Sequence, residues 1–291
     1  MQIHLAKTLK YVLLTLGIII LVLYIIFRFF MNFTMSDQKL EKYFEGNPQQ
    51  PSYGFYEAQG KTIHYACIGA EGRPVIIFIH GSPGTWDAFA RYFKDTTLLN
   101  HFRMYSVDRI GYGKSDHEPE SSIEMQALMI KPLLDMVPDS VPVILVTHSF
   151  GGPVGFRLAM DYPEKIDGMV ALAGLADPEK ERRVYWLQKP LRGKWIRWIL
   201  PPDMDISNRE IVPLKQELYE MGMMWEKIRA KTIIIQGDKD MLVNKAHADF
   251  LEKMMPGSPK IIRLPEENHF IPWTQQQLVV QSIMEVNDEI Q

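Results

Sequence analysis

The chain has 291 residues, 46% hydrophobic and 23% charged, a balance that excludes disordered, collagenous and coiled-coil proteins. Its 32 Lys and Arg against 35 Asp and Glu give a net charge of −3, without the basic excess of a nucleic-acid binder. A single cysteine excludes an intrachain disulfide framework and any thiolate zinc cluster.

The first element is apolar. Tyr11 to Phe27 runs without a charge, and Phe29, Phe30, Met31 and Phe33 continue it past Arg28. At about 1.5 Å rise per residue, roughly 20 residues cross the hydrocarbon layer, and Arg28 can snorkel to the headgroups. A core helix would show a polar face, and this run has only Thr15 and Gly17 as breaks. A signal peptide would be shorter and end in small residues, whereas bulky ones follow here. An uncleaved membrane anchor over residues 1–33 is expected. Lys7 and Lys10 precede the span and Arg28, Lys39 and Lys42 follow it. The preferred orientation keeps the short arm inside and places the large domain on the extracytoplasmic side.

Residues 34–52 are polar with two prolines and read as a linker to a domain over 53–291. Tyr53–Ile68 contains two extended stretches around Gln59-Gly60, a hairpin signal. Apolar runs rich in β-branched residues then recur at Val75–Ile79, Met104–Val107, Val143–Val146, Met169–Leu172, Thr232–Ile235 and Ile261–Leu264. Such runs predict strands buried on both faces, a parallel sheet flanked by helices. Leu278 or Val279, Ile283, Val286 and Ile290 recur at helical spacing near the end. About 55 residues before Thr232 lack a clear strand, long for such a connection. This stretch, about 176–230, is expected to form a helical cap over a pocket, with Trp186, Trp195 and Trp198 as substrate-binding candidates.

The chemistry gathers at three strand ends. Thr147-His148-Ser149-Phe150-Gly151-Gly152 follows a buried strand and precedes a helical segment. That context suits a nucleophile elbow, in which a strained turn projects the serine Oγ above a helix N-terminus. His80-Gly81-Ser82-Pro83-Gly84 ends the run Val75–Ile79. Pro83 has no N–H, so the backbone N–H of Ser82, with Gly81 as the second choice, and that of Phe150 are the expected oxyanion donors. His80 reads as a structural histidine. With the partners in the order serine, acid, histidine, only His247 and His269 remain as bases. His269 sits in a loop after a strand and is preferred to His247, which falls in a helical segment. For the acid, Asp240 in Gln236-Gly237-Asp238-Lys239-Asp240 is preferred, with Asp177 and Asp238 as alternatives.

HGSPG at 80–84, DRIGYGKS at 108–115, THSFGG at 147–152, QGDKD at 236–240 and ENHF at 267–270 stand in the order of one family. Over residues 53–291 the chain resembles the α/β-hydrolase fold superfamily, in particular its lipase and esterase-like members with a short cap. The resemblance implies an eight-stranded, mostly parallel sheet and a Ser149–Asp240–His269 triad. It also implies an oxyanion hole at Ser82 and Phe150, and a structural loop at Asp108–Gly113. The chain departs from the pattern at Thr147 and Asn268, where glycines are usual. Serine at the elbow separates it from the superfamily's dehalogenases and epoxide hydrolases, which use aspartate there.

Gly113-Lys114-Ser115 is not a P-loop, since Asp108 occupies its first glycine position. No paired metal-ligand spacing is present, so no metal and no other cofactor is expected. The favoured function is hydrolysis of a carboxylic ester with a hydrophobic acyl or alcohol part. The expected partners are a small lipid-like substrate and a membrane held through the N-terminal helix, with the oligomeric state open. Two alternatives remain: an aminopeptidase of the proline-iminopeptidase kind, with Glu217 and Glu220 holding the amino group, and a catalytically idle ligand binder.

Overall fold

In a computed structural model, the structure describes residues 2–30, 34–181, 193 and 200–290. Eight strands form one sheet: β1 (Ser52–Ala58), β2 (Lys61–Ile68), β3 (Val75–Ile79), β4 (Arg103–Val107), β5 (Val143–His148), β6 (Gly168–Leu172), β7 (Lys231–Gly237) and β8 (Lys260–Leu264). Their order is β1-β2-β4-β3-β5-β6-β7-β8. β2 is antiparallel to β1 and β4, and the pairings from β4 through β8 are parallel. The fold is the expected mostly parallel α/β-hydrolase sheet, with every predicted strand in place.

Period-two alternation sends the strand residues to two cores. Val75, Ile77 and Ile79 of β3 join the cluster that includes helices Ile123–Asp135 and Gly151–Asp161. Ile76 and Phe78 join the opposite cluster, which takes in the helix Gln276–Ile290. In that helix Val279, Ile283 and Val286 are buried, as the spacing predicts. Both faces of the central strands are therefore covered, and their free positions lie at the strand ends. β3 pairs with β4 on one side and β5 on the other, so the connections diverge there. The carboxyl ends of such strands open a crevice where open α/β sheets bind ligands.

The helix Gln2–Phe30 contains the apolar window Lys10–Phe27, long enough to cross a membrane by length and composition. None of that window is buried against the rest of the chain. The Arg28 side chain lies outside the described residues.

The segment read as a linker departs from that expectation. Asp37–Phe44 is a helix, capped by Ser36 and buried through Leu40 and Phe44. Met35 N–H donates to Asp87 Oδ2 at 2.6 Å, and Lys94 Nζ donates to the Tyr43 carbonyl at 2.7 Å. The physical reason is amphipathicity: two apolar residues four apart form a stripe that packs on the core.

Candidate active site

Ser149 stands between β5 and the helix Gly151–Asp161 with φ of 54°, a left-handed backbone costly for a side-chain-bearing residue. The turn is held on both sides: Ser149 N–H donates to the Leu172 carbonyl at 3.0 Å, and Gly152 N–H to the Ser149 carbonyl at 2.9 Å. A Cβ on Gly151 would strike the Ile79 carbonyl oxygen and reach 2.7 Å from that of His80. Thr147, where the family usually has glycine, is accommodated by Gly155, whose added Cβ would lie 2.5 Å from Thr147 Cγ2.

His269 and Asp240 meet at the ends of β8 and β7. His269 Nδ1 donates to Asp240 Oδ2 at 2.7 Å, with the histidine side chain 7% exposed and the carboxylate fully buried. Asp240 Oδ1 accepts from the N–H groups of Leu242 and Val243, each at 2.8 Å. Burial pushes the Asp240 carboxyl up, but the His269 hydrogen bond and charge and the two backbone donors outweigh it, leaving it below its ordinary value. Asp177 and Asp238 do not make this bond. Asp177 Oδ1 accepts from Glu179 N–H, and Asp238 Oδ1 lies 3.8 Å from Lys245 Nζ. His148 Nε2–H donates to the His269 carbonyl at 3.0 Å and so pins the loop. Burial and the neighbouring His269 hold the His148 pKa at about 3, keeping it neutral.

Ser149, His269, Ser82 and Phe150 line one cavity of about 280 Å³, with Leu175, Ile211 and Val243 among its apolar walls. A larger surface groove of about 780 Å³ runs along the helix Gln276–Ile290 and includes none of these residues. Phe150 is the N-cap of the helix Gly151–Asp161, so its N–H is among those without an intrahelical partner. His80 is structural: Nδ1–H donates to the Gly81 carbonyl at 2.7 Å, and Nε2 accepts from Arg109 N–H at 3.0 Å.

Two features escape sequence reasoning. In the first, Arg109 Nη1 lies 2.6 Å from Glu210 Oε1, and Arg109 Nη2 3.3 Å from Glu210 Oε2. Arg109 also donates to the carbonyls of His80 and Gly81 at 3.0 and 2.9 Å. Tyr112 Oη–H donates to Glu210 Oε2 at 2.7 Å and accepts from the Ser82 hydroxyl at 2.9 Å. The helix Pro202–Ile211, which carries Glu210, is thereby tied to the turn after β3. In the second, Glu181 and His247 line the cavity, at positions where the sequence signal is only one more carboxylate and a helical histidine.

Trp186, Trp195 and Trp198 lie outside the described residues. The helices Pro202–Ile211 and Leu214–Met221 occupy the region expected for the cap, and Ile211 and Leu214 reach the cavity. Glu217 does not. Its Oε2 accepts from Ile123 N–H at 2.8 Å at the start of the helix Ile123–Asp135. Glu220 pairs with Gln216 on an exposed face. Among the described residues no group of three or more His, Cys, Asp or Glu could hold a metal ion.

A serine-bearing elbow at the end of a parallel strand, with an Asp–His pair on the two neighbouring loops, defines an α/β-hydrolase architecture. Residues 74–195 match the α/β-hydrolase fold family model, and the eight-stranded, mostly parallel sheet flanked by helices is that fold. It is 26% identical over 181 residues to epoxide hydrolase 1 of Caenorhabditis elegans, across 61% of this chain and 43% of that protein. The match thus spans less than half the length of that curated relative. An epoxide hydrolase from Vigna radiata superposes with a TM-score of 0.63 at 17% identity, over 82% of this chain and 98% of its own. A membrane phospholipase A described as a bacterial virulence factor superposes with a TM-score of 0.63 at 16% identity, over 100% and 99%.

Proposed function

We propose that the chain is a serine hydrolase that cleaves a carboxylic ester with a hydrophobic acyl or alcohol part. The observation that carries this reading is the 2.7 Å bond between His269 and Asp240 beside the cavity that Ser149 lines. Ser149 Oγ attacks the acyl carbon while His269 Nε2 takes its proton. Asp240 holds the imidazole in the Nδ1–H tautomer and stabilises the imidazolium that forms. The N–H groups of Ser82 and Phe150 receive the oxyanion. His269 then protonates the leaving alcohol, and water, activated by the same imidazole, releases the acid and restores Ser149.

Serine at the elbow favours this chemistry over that of the epoxide hydrolase relatives, because an aspartate nucleophile is what epoxide opening uses in this superfamily. The apolar cavity walls favour a hydrophobic substrate. The N-terminal helix serves as a membrane anchor in this reading, with the catalytic domain on the extracytoplasmic side; its exposed apolar length supports the anchoring. The test is labelling of the full chain by a fluorophosphonate, together with hydrolysis of p-nitrophenyl esters. Labelling that depends on Ser149, and ester turnover lost in Ser149→Ala, are expected. Equal turnover by Ser149→Ala sinks the reading.

A further inference from the structure

The cavity beside Ser149 has mostly apolar walls, and one buried carboxyl group interrupts them. The Glu181 side chain is 8% exposed and lines the cavity. Its polar neighbour among the described residues is His247, with Nε2 at 3.8 Å from Glu181 Oε1, beyond hydrogen-bond distance. His247 is locked. Its Nδ1 accepts from the N–H groups of Ala176 and Asp177 at 3.1 and 2.8 Å. With Nδ1 as acceptor, the neutral ring carries its proton on Nε2, on the side of Glu181. Burial holds the His247 pKa at about 4, so the ring is neutral near pH 7.

A polar group buried in an apolar wall costs free energy until something bonds to it. We propose that Glu181 is the specificity residue of this cavity and binds a hydroxyl group carried by the acyl or alcohol part of the substrate. The proposal rests on the reading of this cavity as the substrate site. A hydroxyl fits better than an ammonium for two reasons. Lys180 lines the same cavity and opposes a second cation. Burial also lifts the Glu181 pKa to about 7, so the carboxyl divides between acceptor and donor forms. A hydroxyl can bond to either form, whereas an ammonium needs the charged one. Sites built to bond a substrate hydroxyl reject analogues that lack it, because the protein group is then left unpaired.

The test uses the full chain carrying Ser149→Ala and measures binding of uncleaved amide analogues in matched pairs. In one pair the hydroxyl ends the acyl chain, and in the other it ends the group replacing the alcohol. At least one hydroxylated analogue is expected to bind about tenfold tighter than its plain twin, with Glu181→Leu erasing the difference. Glu181→Gln, which keeps hydrogen-bonding capacity in similar volume, is expected to retain part of it and replaces the leucine variant if that does not fold. Equal binding within both pairs, a difference that survives Glu181→Leu, or one undiminished in Glu181→Gln overturns the proposal. Ester cleavage by the unaltered chain is measured in parallel. Cleavage without hydroxyl discrimination refutes this inference alone, and discrimination without cleavage refutes the hydrolase reading alone.

Discussion

Arg109 and Glu210 are 101 residues apart in sequence and form a buried ion pair, with side chains 1% and 0% exposed. The guanidinium also bonds the carbonyls of His80 and Gly81, so one contact joins the helix Pro202–Ile211 to the turn beside the cavity.

Removing one partner leaves an uncompensated buried charge, a loss of about 3–5 kcal/mol. Glu210→Ala is therefore expected to lower the urea unfolding free energy by about that amount. The double variant Arg109→Met with Glu210→Leu is expected to recover much of it, since both charges leave together. A double variant as unstable as the single would show that the loss is one of packing rather than charge.

Asp240→Asn removes the charge that steadies the imidazolium and disturbs the tautomer of His269. Ester turnover is expected to fall by about 10³–10⁴. Circular dichroism should remain that of the unaltered chain. A fall of less than tenfold would place the orienting acid elsewhere.

Much of this arrangement is legible in the sequence. The buried strands announce themselves as β-branched runs between turns, and Ser149, Asp240 and His269 each follow such a run, where loops gather at one edge. The helix Asp37–Phe44 has its signals in the sequence, Ser36 as a cap and an apolar pair four apart, while the prolines beyond it read as a linker. The Arg109–Glu210 pair has no local signature, because each residue alone resembles a solvated charge. Glu181 and His247 are hidden for the same reason: burial, not residue type, makes them distinctive.

Thr147 and Gly155 form a size-matched pair across the elbow. Gly155→Ala places a methyl 2.5 Å from Thr147 Cγ2, an overlap expected to cost about 1–3 kcal/mol. Adding Thr147→Gly should restore part of the stability by vacating that space. Thermal unfolding of the three variants measures the coupling, and purely additive losses would contradict it.

Acid should destabilise the domain well before its carboxylates are fully protonated. Burial holds His148 at about 3 and His247 at about 4, and it keeps His80 well below its ordinary value of 6.5. The unfolded chain therefore takes up these protons first. The stabilisation is complete above about pH 6.5 and is lost as pH falls toward the folded values. Each histidine contributes a slope of about 1.4 kcal/mol per pH unit in that window. Glu181, raised to about 7, acts in the opposite sense above its ordinary 4.5. Asp87, Asp203 and Glu217, also raised by burial, act in that same opposing sense, and the net expectation is a fall in stability from pH 6.5 to 5. Urea midpoints unchanged across that range would contradict it.

The N-terminal helix should hold the chain in the membrane fraction through alkaline carbonate extraction. A chain lacking residues 1–33 should be released and remain folded, because Leu40, Phe44 and the Met35 contact stay in place. Release of the full chain by carbonate would remove the anchor.

Met35 is fastened to Asp87, just past the turn His80–Gly84, while the apolar helix ends at Phe30. The five Cα steps from Phe30 to Met35 reach at most about 18 Å. With the helix in a bilayer, the leash is too short for the domain to roam the bulk solution. If the chain is the hydrolase proposed above, it meets its substrate by searching a plane instead of a volume. Its turnover would follow the surface density of that substrate and the lateral mobility of the film, and diluting the surrounding water would leave its rate nearly unchanged.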